Sequence, residues 1–217
     1  MLKFLPQFPS ERPLRLLCIG AHSDDLEIGC GGTVATWLGT WSSVEVTWVV
    51  LAAAGDREDE ARRSARALLR RATAVRLEFG HFHDGFLPAQ YAEVKQHFEV
   101  LKQQVNPDVI LTHCLADRHQ DHRLAAELTW NTWRDHLIYE YEIPKYEGDL
   151  AQPNVYVPLT ARVARRKTAH LEKYFSSQRS RAWFRVENFE ALMRLRGLEC
   201  RAPSGFAEAF HGRKLVI

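Results

Sequence analysis

The chain has 217 residues, of which 46% are hydrophobic, so it can bury a full core and is most simply one domain spanning residues 1–217. Its net charge is +2, and no apolar run approaches the length needed to cross a bilayer. The first residues lack the apolar core of a secretory signal peptide, so we expect a cytoplasmic protein. The four cysteines lie far apart with no CxxC pair, which argues against a structural disulfide.

The charge is unevenly distributed along the chain. Residues 1–150 carry 16 basic and 22 acidic side chains, whereas residues 151–217 carry 13 basic and 5 acidic ones. Two interpretations stay open: the basic third is solvated helix surface, or it approaches an anionic ligand such as a phosphate-bearing substrate. Nucleic acid is not expected as a partner, because no recognition motif accompanies the charge. A homo-oligomer is left open.

Strand-like and helix-like segments alternate through the first two thirds of the chain. The predicted strands are residues 14–19, 44–52, 75–79 and 108–112, and the predicted helices are residues 32–39, 58–71, 91–105 and 123–136. This alternation predicts an α/β fold, a three-layer αβα sandwich with a mostly parallel sheet.

The periodicity weakens after residue 136. Residues 141–158 are rich in Pro, Tyr, Asn and Gly and are interpreted as an ordered loop containing one strand, residues 154–157. Two helices follow, at about residues 160–175 and 187–196, and residues 214–217 end the chain with a strand-like run.

Two clusters of His and Asp directly follow predicted parallel strands. The first is His22, Asp24 and Asp25, and the second, after the strand at 108–112, is His119, Asp121 and His122. In an open α/β sheet, ligands bind at the carboxyl ends of the strands. Although a single loop histidine is usually a surface residue, two such clusters at one sheet edge indicate a functional site.

These side chains suit a catalytic Zn²⁺ site, in which three protein ligands leave one position open for water. His22 and Asp25, three residues apart on a turn, can point at one ion, and His122 can supply the third ligand. Asp24 is then free to act as a general base on zinc-bound water. His119, oriented by Asp121, is predicted to polarise a carbonyl or protonate a leaving group. The chemistry is metal-assisted hydrolysis.

The residues around both clusters resemble the motifs of the LmbE/PIG-L deacetylase family. Residues 21–33, AHSDDLEIGCGGT, are similar to the family's His-Pro-Asp-Asp motif with serine in place of proline, and residues 118–123, RHQDHR, are similar to its His-x-Asp-His motif. Weaker similarities include Arg57, Asp84-Gly85 and residues 176–178 and 206–210.

The resemblance implies a Rossmann-like α/β sandwich that removes the N-acetyl group from an N-acetylglucosamine-type amino-sugar conjugate with the help of Zn²⁺. It implies the same division of roles as above: His22, Asp25 and His122 hold zinc, Asp24 is the base, and His119 with Asp121 assists. Arg57, Asp84 and Arg118 are expected near the substrate.

The sequence departs from the family at one position. Some members have a tyrosine two residues before the first histidine of the second motif, as an oxyanion donor, whereas this chain has Asp117. The donor is therefore missing or supplied elsewhere. Two alternatives to the amino-sugar deacetylase remain: an amidohydrolase of the same mechanism acting on a non-sugar N-acyl substrate, and a catalytically silent metal- or sugar-binding protein.

Overall fold

The computed structural model describes residues 11–215, whose strands form one seven-stranded sheet. The strands are β1 (Leu14–His22), β2 (Val44–Ala52), β3 (Ala74–Phe79), β4 (Val109–His113), β5 (Leu137–Tyr141), β6 (Val155–Pro158) and β7 (Ala207–Gly212). The helices are α1 (Asp25–Thr40), α2 (Asp56–Leu68), α3 (Tyr91–Gln104), α4 (Gln120–Thr132), α5 (Ala161–Tyr174) and α6 (Val186–Glu199).

The sheet has the order β3-β2-β1-β4-β5-β7-β6, and β1 to β5 are parallel. Only β7 runs antiparallel, to β5 on one side and to β6 on the other. The predicted three-layer sandwich with a mostly parallel sheet is therefore confirmed. Because β1 and β4 are adjacent and parallel, the loops that follow them meet at one edge of the sheet.

Alternate residues of the central strand β1 face opposite sides of the sheet, and both sides are buried, as is typical of parallel sheets. Leu16 and Cys18 belong to the core under α1, α2, α5 and α6. Leu17 and Ile19 belong to the core under α3 and α4. All four cysteines are free, as expected.

Helix α1 packs closely against the sheet, and its glycines allow that approach. A Cβ on Gly29 would lie 2.2 Å from the ring of Tyr141. Glu208 of β7 accepts hydrogen bonds from the backbone N–H groups of Gly32 (2.8 Å) and Thr33 (2.6 Å). The middle of α1 is thereby held in place by a strand from the far end of the chain.

The structure corrects three expectations about secondary structure. Helix α1 begins at Asp25, seven residues before its predicted start, so it includes residues taken for a turn. Strand β5 was not predicted at all, since the preceding helix was extended through residue 136. The last strand is β7, whereas Lys214 and Leu215 are outside it and residues 216–217 lie outside the described range.

Across residues 11–215 there is no helix with both the length and the hydropathy of a membrane span.

Candidate metal centre and active site

The functional side chains expected from the sequence come from loops and helix starts that follow β1, β2, β3 and β4. His22 is the last residue of β1, and Asp25 begins α1. Asp121 and His122 lie in the first turn of α4. The first turn of α2 and the loop after β3 supply Arg57 and Asp84.

Three potential ligand atoms converge at this edge. His22 Nδ1 lies 3.1 Å from His122 Nε2 and 3.3 Å from Asp25 Oδ2, and the last two atoms are 3.5 Å apart. A tetrahedral zinc site with bonds of 2.0–2.2 Å has edges of about 3.3–3.6 Å between ligand atoms. The triangle formed by these three atoms therefore has the size of one face of such a site, and all three residues are buried.

Two imidazole nitrogens and a carboxylate oxygen that converge at these distances in a buried site are a donor set that a divalent cation would satisfy. Burial alone would lower the pKa of His22, but the carboxylates of Asp25, Asp121 and Asp84 raise it well above its ordinary value. Burial would raise the pKa of Asp25, but His122, His113 and His22 hold it well below its ordinary range. The donor set thus fits a divalent metal ion.

The ring of His22 is oriented by carboxylates on the side away from the triangle. Its Nε2 lies 3.1 Å from Asp121 Oδ2 and 3.2 Å from Asp84 Oδ1. Asp121 is itself fixed, because it accepts hydrogen bonds from the backbone N–H groups of Gly85 (2.7 Å) and Leu87 (3.1 Å). A proton on Nε2 is therefore stabilised, which leaves the Nδ1 lone pair for a metal.

His122 is oriented in the same way by a residue that was not predicted to take part. Its Nδ1 lies 3.0 Å from Asp117 Oδ2, and Lys145 Nζ lies 3.0 Å from the same oxygen. Burial lowers the pKa of His122 to about 4, so its ring is neutral at pH 7. The bond to His122 and the charge of Lys145 hold the pKa of Asp117 well below its usual range despite burial. With Nδ1–H donated to Asp117, Nε2 is free for a metal.

His113, the last residue of β4, is a further member of the cluster that the sequence analysis missed. Its Nε2 lies 3.1 Å from Asp25 Oδ2, and its ring stacks on that of His122 at 3.9 Å between centroids. Asp25, His113 and His122 could also hold an ion. However, His113 Nε2 accepts a hydrogen bond from the backbone N–H of Ala21 (2.9 Å), so its lone pair is already engaged. The triangle of His22, Asp25 and His122 is therefore the better fit.

Asp24 lies beside the triangle but does not belong to it. It is 3% exposed, and its Oδ2 has no hydrogen-bond partner among residues 11–215. Burial and the neighbouring charge of Asp25 raise its pKa to about 6, although Arg57, whose Nη2 is 3.8 Å from Oδ1, acts in the opposite direction. An unpartnered carboxylate oxygen with a raised pKa is able to accept a proton near neutral pH.

His119 caps the N-terminus of α4, and its ring is 4.4 Å from that of His122 and 4.9 Å from that of His22. Burial and the charge of His22 lower its pKa. The expected orientation of His119 by the Asp121 carboxylate is wrong. His119 Nδ1 accepts from the backbone N–H of Asp121 (3.3 Å), whereas the Asp121 carboxylate contacts His22 because α4 turns it toward β1.

The residues expected near the substrate lie at two places. Arg57 Nη1 donates to Asp84 Oδ2 (2.5 Å), and Asp84 is half exposed at the mouth of the site. Arg118 is exposed; its backbone N–H donates to Asp149 Oδ2 (2.6 Å). Arg57 and Asp84 therefore form a pair against Asp24 and His22, and Arg118 lies on the rim.

The basic residues of the last third do not gather at this edge as one group. Lys167 is buried inside the protein, where its Nζ donates to Glu208 (2.5 Å) and to the carbonyl of Ile28 (2.5 Å). Arg179 donates to the carbonyl of Glu172. The guanidinium of Arg196 is held by Glu142 and Glu199. The charges of Lys167 and Arg196 are thus neutralised within the fold.

Taken together, the sheet and its edge define an α/β protein with a buried His/Asp metal-type centre at the carboxyl ends of β1 and β4. The sequence comparison is specific about its class. The family model described as PIG-L, GlcNAc-PI de-N-acetylase, matches residues 17–133. The chain belongs to this PIG-L (LmbE-like) family.

Several solved structures share the fold. The conserved protein TT1542 from Thermus thermophilus is 24% identical, covers 94% of this chain and 96% of its own, and has a TM-score of 0.71. The N,N'-diacetylchitobiose deacetylase of Pyrococcus horikoshii is 19% identical. The match covers 94% of this chain and 85% of the deacetylase, with a TM-score of 0.73. The 4-carboxy-2-hydroxymuconate hydratase of Pseudomonas putida KT2440 is also 19% identical. The match covers 94% of this chain and 98% of the hydratase, with a TM-score of 0.72.

Proposed function

We propose that this protein is a zinc-dependent N-deacetylase that hydrolyses the N-acetyl group of an N-acetylglucosamine-type amino-sugar conjugate. The observation that carries the proposal is the triangle of His22 Nδ1, Asp25 Oδ2 and His122 Nε2 with the unpartnered oxygen of Asp24 beside it. Membership of a family described as a de-N-acetylase and the fold shared with a chitobiose deacetylase support the same reaction class.

His22, Asp25 and His122 would hold the ion. When bound, Zn²⁺ polarises a carbonyl oxygen and makes water a stronger acid. His22 would offer Nδ1 to the ion and His122 would offer Nε2, and in each ring the other nitrogen is fixed by a carboxylate, from Asp121 or Asp117. A neutral histidine with a fixed tautomer binds metal more strongly than a freely rotating one.

Asp24 is the proposed general base. Its free oxygen accepts a proton from the attacking water. The protonated Asp24 can then donate this proton to the departing amine. Arg57, 3.8 Å from the other oxygen, holds the carboxylate in place while its pairing with Asp84 directs the guanidinium toward the mouth of the site. We propose Arg57, Asp84 and Arg118 as substrate contacts.

His119 is proposed to stabilise the developing oxyanion. It stands where its ring is within 5 Å of the His22 and His122 rings, and it is only half-buried, so it can meet a substrate. Because Asp117 contacts His122 and Lys145, its carboxylate is not an oxyanion donor, which gives His119 the larger part of this role. Asp121 acts as a positioning residue, through His22.

Part of this proposal rests on the sequence alone. A phosphate on the substrate stays a prediction from the charge asymmetry, and the cytoplasmic location stays a prediction from the lack of an apolar signal-peptide core. A homo-oligomer stays open. The non-sugar N-acyl substrate is the alternative within the same mechanism.

The test is a free-amine assay on the zinc-loaded protein, with mass spectrometry to detect loss of one acetyl group. The substrates are N,N'-diacetylchitobiose, N-acetylglucosamine 1-phosphate and, as a non-sugar amide, an N-acetylated amino acid. Asp24→Asn is the matched control, since it should keep the metal. Release of acetate from the amino acid alone would assign the non-sugar alternative. Hydration of an unsaturated carboxylate without any deacetylation would overturn the proposal, because a hydratase shares the fold.

A further inference from the structure

A second cavity lies between helices α1, α2 and α5. It has a volume of about 100 Å³, somewhat smaller than a cavity that admits benzene. Its middle is lined by the apolar residues Ala35, Leu38, Ala67, Leu68 and Val163, and Lys167 also lines it. Gly31 leaves room on the α1 side, because a Cβ there would make only ordinary contacts at 3.8–3.9 Å.

The inner end of this cavity is polar. Glu27 lines it and is 2% exposed; its Oε1 accepts a hydrogen bond from Ser64 Oγ, and its Oε2 has no partner among residues 11–215. His170 also lines it, with Nε2 2.8 Å from Ser64 Oγ. A buried carboxylate oxygen without a partner is costly, and a ligand that donates a hydrogen bond there would satisfy it.

The mouth of the cavity carries positive charge. Arg70, Arg71 and Arg166 line it and are exposed. Within the described range, none of these three guanidinium groups takes part in an ion pair or a side-chain hydrogen bond. Unlike Lys167 and Arg196, whose charges are neutralised internally, they are available to an anion.

The mouth of the cavity is far from the proposed active site, whereas Glu27 at its inner end lies two residues after Asp25 in the first turn of α1. Arg57, beside Asp24, lies in the first turn of α2, whereas Arg70 and Arg71 follow its last turn. At 1.5 Å per residue, these ends are about 20 Å apart. An anion held at the mouth is therefore too far away to contact the ligand atoms of His22, Asp25 and His122.

We propose that the cavity between α1, α2 and α5 is a second binding site for a small amphipathic organic anion. The acidic group, a phosphate, sulfate or carboxylate, pairs with the arginines at the mouth. An apolar ring or short chain fills the middle, and a hydroxyl at the far end forms a hydrogen bond with the free Oε2 of Glu27. The site does not depend on the deacetylase activity.

The test uses 4-hydroxybenzenesulfonate, which has an acid at one end and a hydroxyl at the other, with the zinc-loaded protein in a calorimetric titration. A sulfonate is chosen because its weakly basic oxygens are poor metal ligands. The reference compounds are phenol, which lacks the acid, and inorganic sulfate, which lacks the ring. We expect the full probe to bind at least tenfold more tightly than either, because each contributes only part of the recognition.

Two kinds of variant locate the binding. Arg71→Gln combined with Arg166→Gln should weaken binding by about tenfold or more, since charge-assisted hydrogen bonds are lost. Ala35→Leu should abolish it by filling the cavity. Arg66→Gln is the matched control, because Arg66 is exposed on α2 but does not line the cavity; it should leave binding unchanged.

The proposal is overturned if sulfate binds as tightly as the probe, which would make the arginines an ordinary solvated surface. It is also overturned if the Arg71/Arg166 double variant keeps full affinity. Because that double variant changes only exposed side chains, it should remain folded, and an unchanged melting temperature without the probe verifies this even if Ala35→Leu does not fold.

Discussion

Asp117→Asn is the most informative single change, because it alters the support of a proposed metal ligand without altering the ligand. Asp117 Oδ2 receives both His122 Nδ1 and Lys145 Nζ at 3.0 Å, and the residue is 5% exposed. Asparagine keeps the shape and can still accept one hydrogen bond, but it loses the charge. Lys145 retains Asp149 as a partner at 2.7 Å, so no cation is stranded.

The expected effect is a graded loss of zinc affinity. Loss of an outer-shell carboxylate typically weakens metal binding by about 10- to 100-fold, or about 1.4–2.7 kcal/mol. The lower end applies if the amide oxygen still fixes the tautomer of His122, and the upper end if the amide turns its nitrogen toward the ring. Removal of a true ligand, as in His122→Ala, should have a larger effect.

The assay is competition for Zn²⁺ between the protein and a chromophoric chelator, with the melting temperature of the zinc-free protein as a check on folding. Asp149→Asn is the matched control, since Asp149 contacts Lys145 and the Arg118 backbone and leaves the contact of Asp117 with His122 in place. It should change zinc affinity by less than about threefold. Equal losses in both variants would refute the reasoning, because the effect would then be general charge loss around Lys145.

Three further predictions concern named side chains. Asp25→Ala should strip zinc, whereas Asp24→Asn should keep it and lose about 10²–10⁴-fold in turnover; metal analysis beside kinetics distinguishes them. His119→Ala should lower kcat by about 10²–10³-fold with zinc content and KM little changed, as steady-state kinetics will show. His170→Gln should make unfolding less sensitive to acid, because burial lowers the pKa of His170 to about 4 from 6.5 and the native state therefore loses stability as pH falls through that window, by up to about 3 kcal/mol.

Each of these has a result that contradicts it. If Asp24→Asn lost the metal and Asp25→Ala kept it, the roles of the two carboxylates would be exchanged. An unchanged kcat with a raised KM in His119→Ala would make His119 a binding residue. Chemical denaturation of wild type and His170→Gln at pH 7 and pH 4.5 checks the last prediction, and parallel losses of stability in the two proteins would rule it out.

Local sequence patterns were sufficient to predict most of the parallel half of the fold. Strands β1 and β4 are largely apolar runs, and β2 and β3 alternate apolar and polar residues over part of their length. β2 has the bounds that were predicted for it. Both His/Asp clusters could be found because they directly follow such apolar runs. Their meeting follows from one topological fact, the adjacency of β1 and β4 in a parallel sheet.

The remaining features depend on contacts between distant parts of the chain. Strand β5 was missed because its five residues are too short a run to give a clear pattern, and its pairing with β4 and β7 defines it. The contact of Glu208 with the backbone of α1 at Gly32 and Thr33 could not be predicted, because the two segments are more than 170 residues apart in the chain. The histidine that the Asp121 carboxylate contacts could not be predicted either. His119 is the nearer histidine in the sequence, but the fold brings His22 to this carboxylate. His113 had a usable signal: it is a histidine at the carboxyl end of a buried strand.

The two loops of the proposed metal centre are mutually dependent, and this has a consequence for stability. The loop after β1 supplies His22, but the carboxylate that orients His22 is Asp121, from the start of α4. The third corner of the triangle, His122, is next to Asp121 in the chain, yet its distance to His22 is set by the pairing of β1 with β4. In the unfolded chain these groups are about 100 residues apart, so no comparable site exists there. A metal ion bound by this centre therefore binds the native state selectively and stabilises it, by about 2.7 kcal/mol at a free concentration one hundred times Kd.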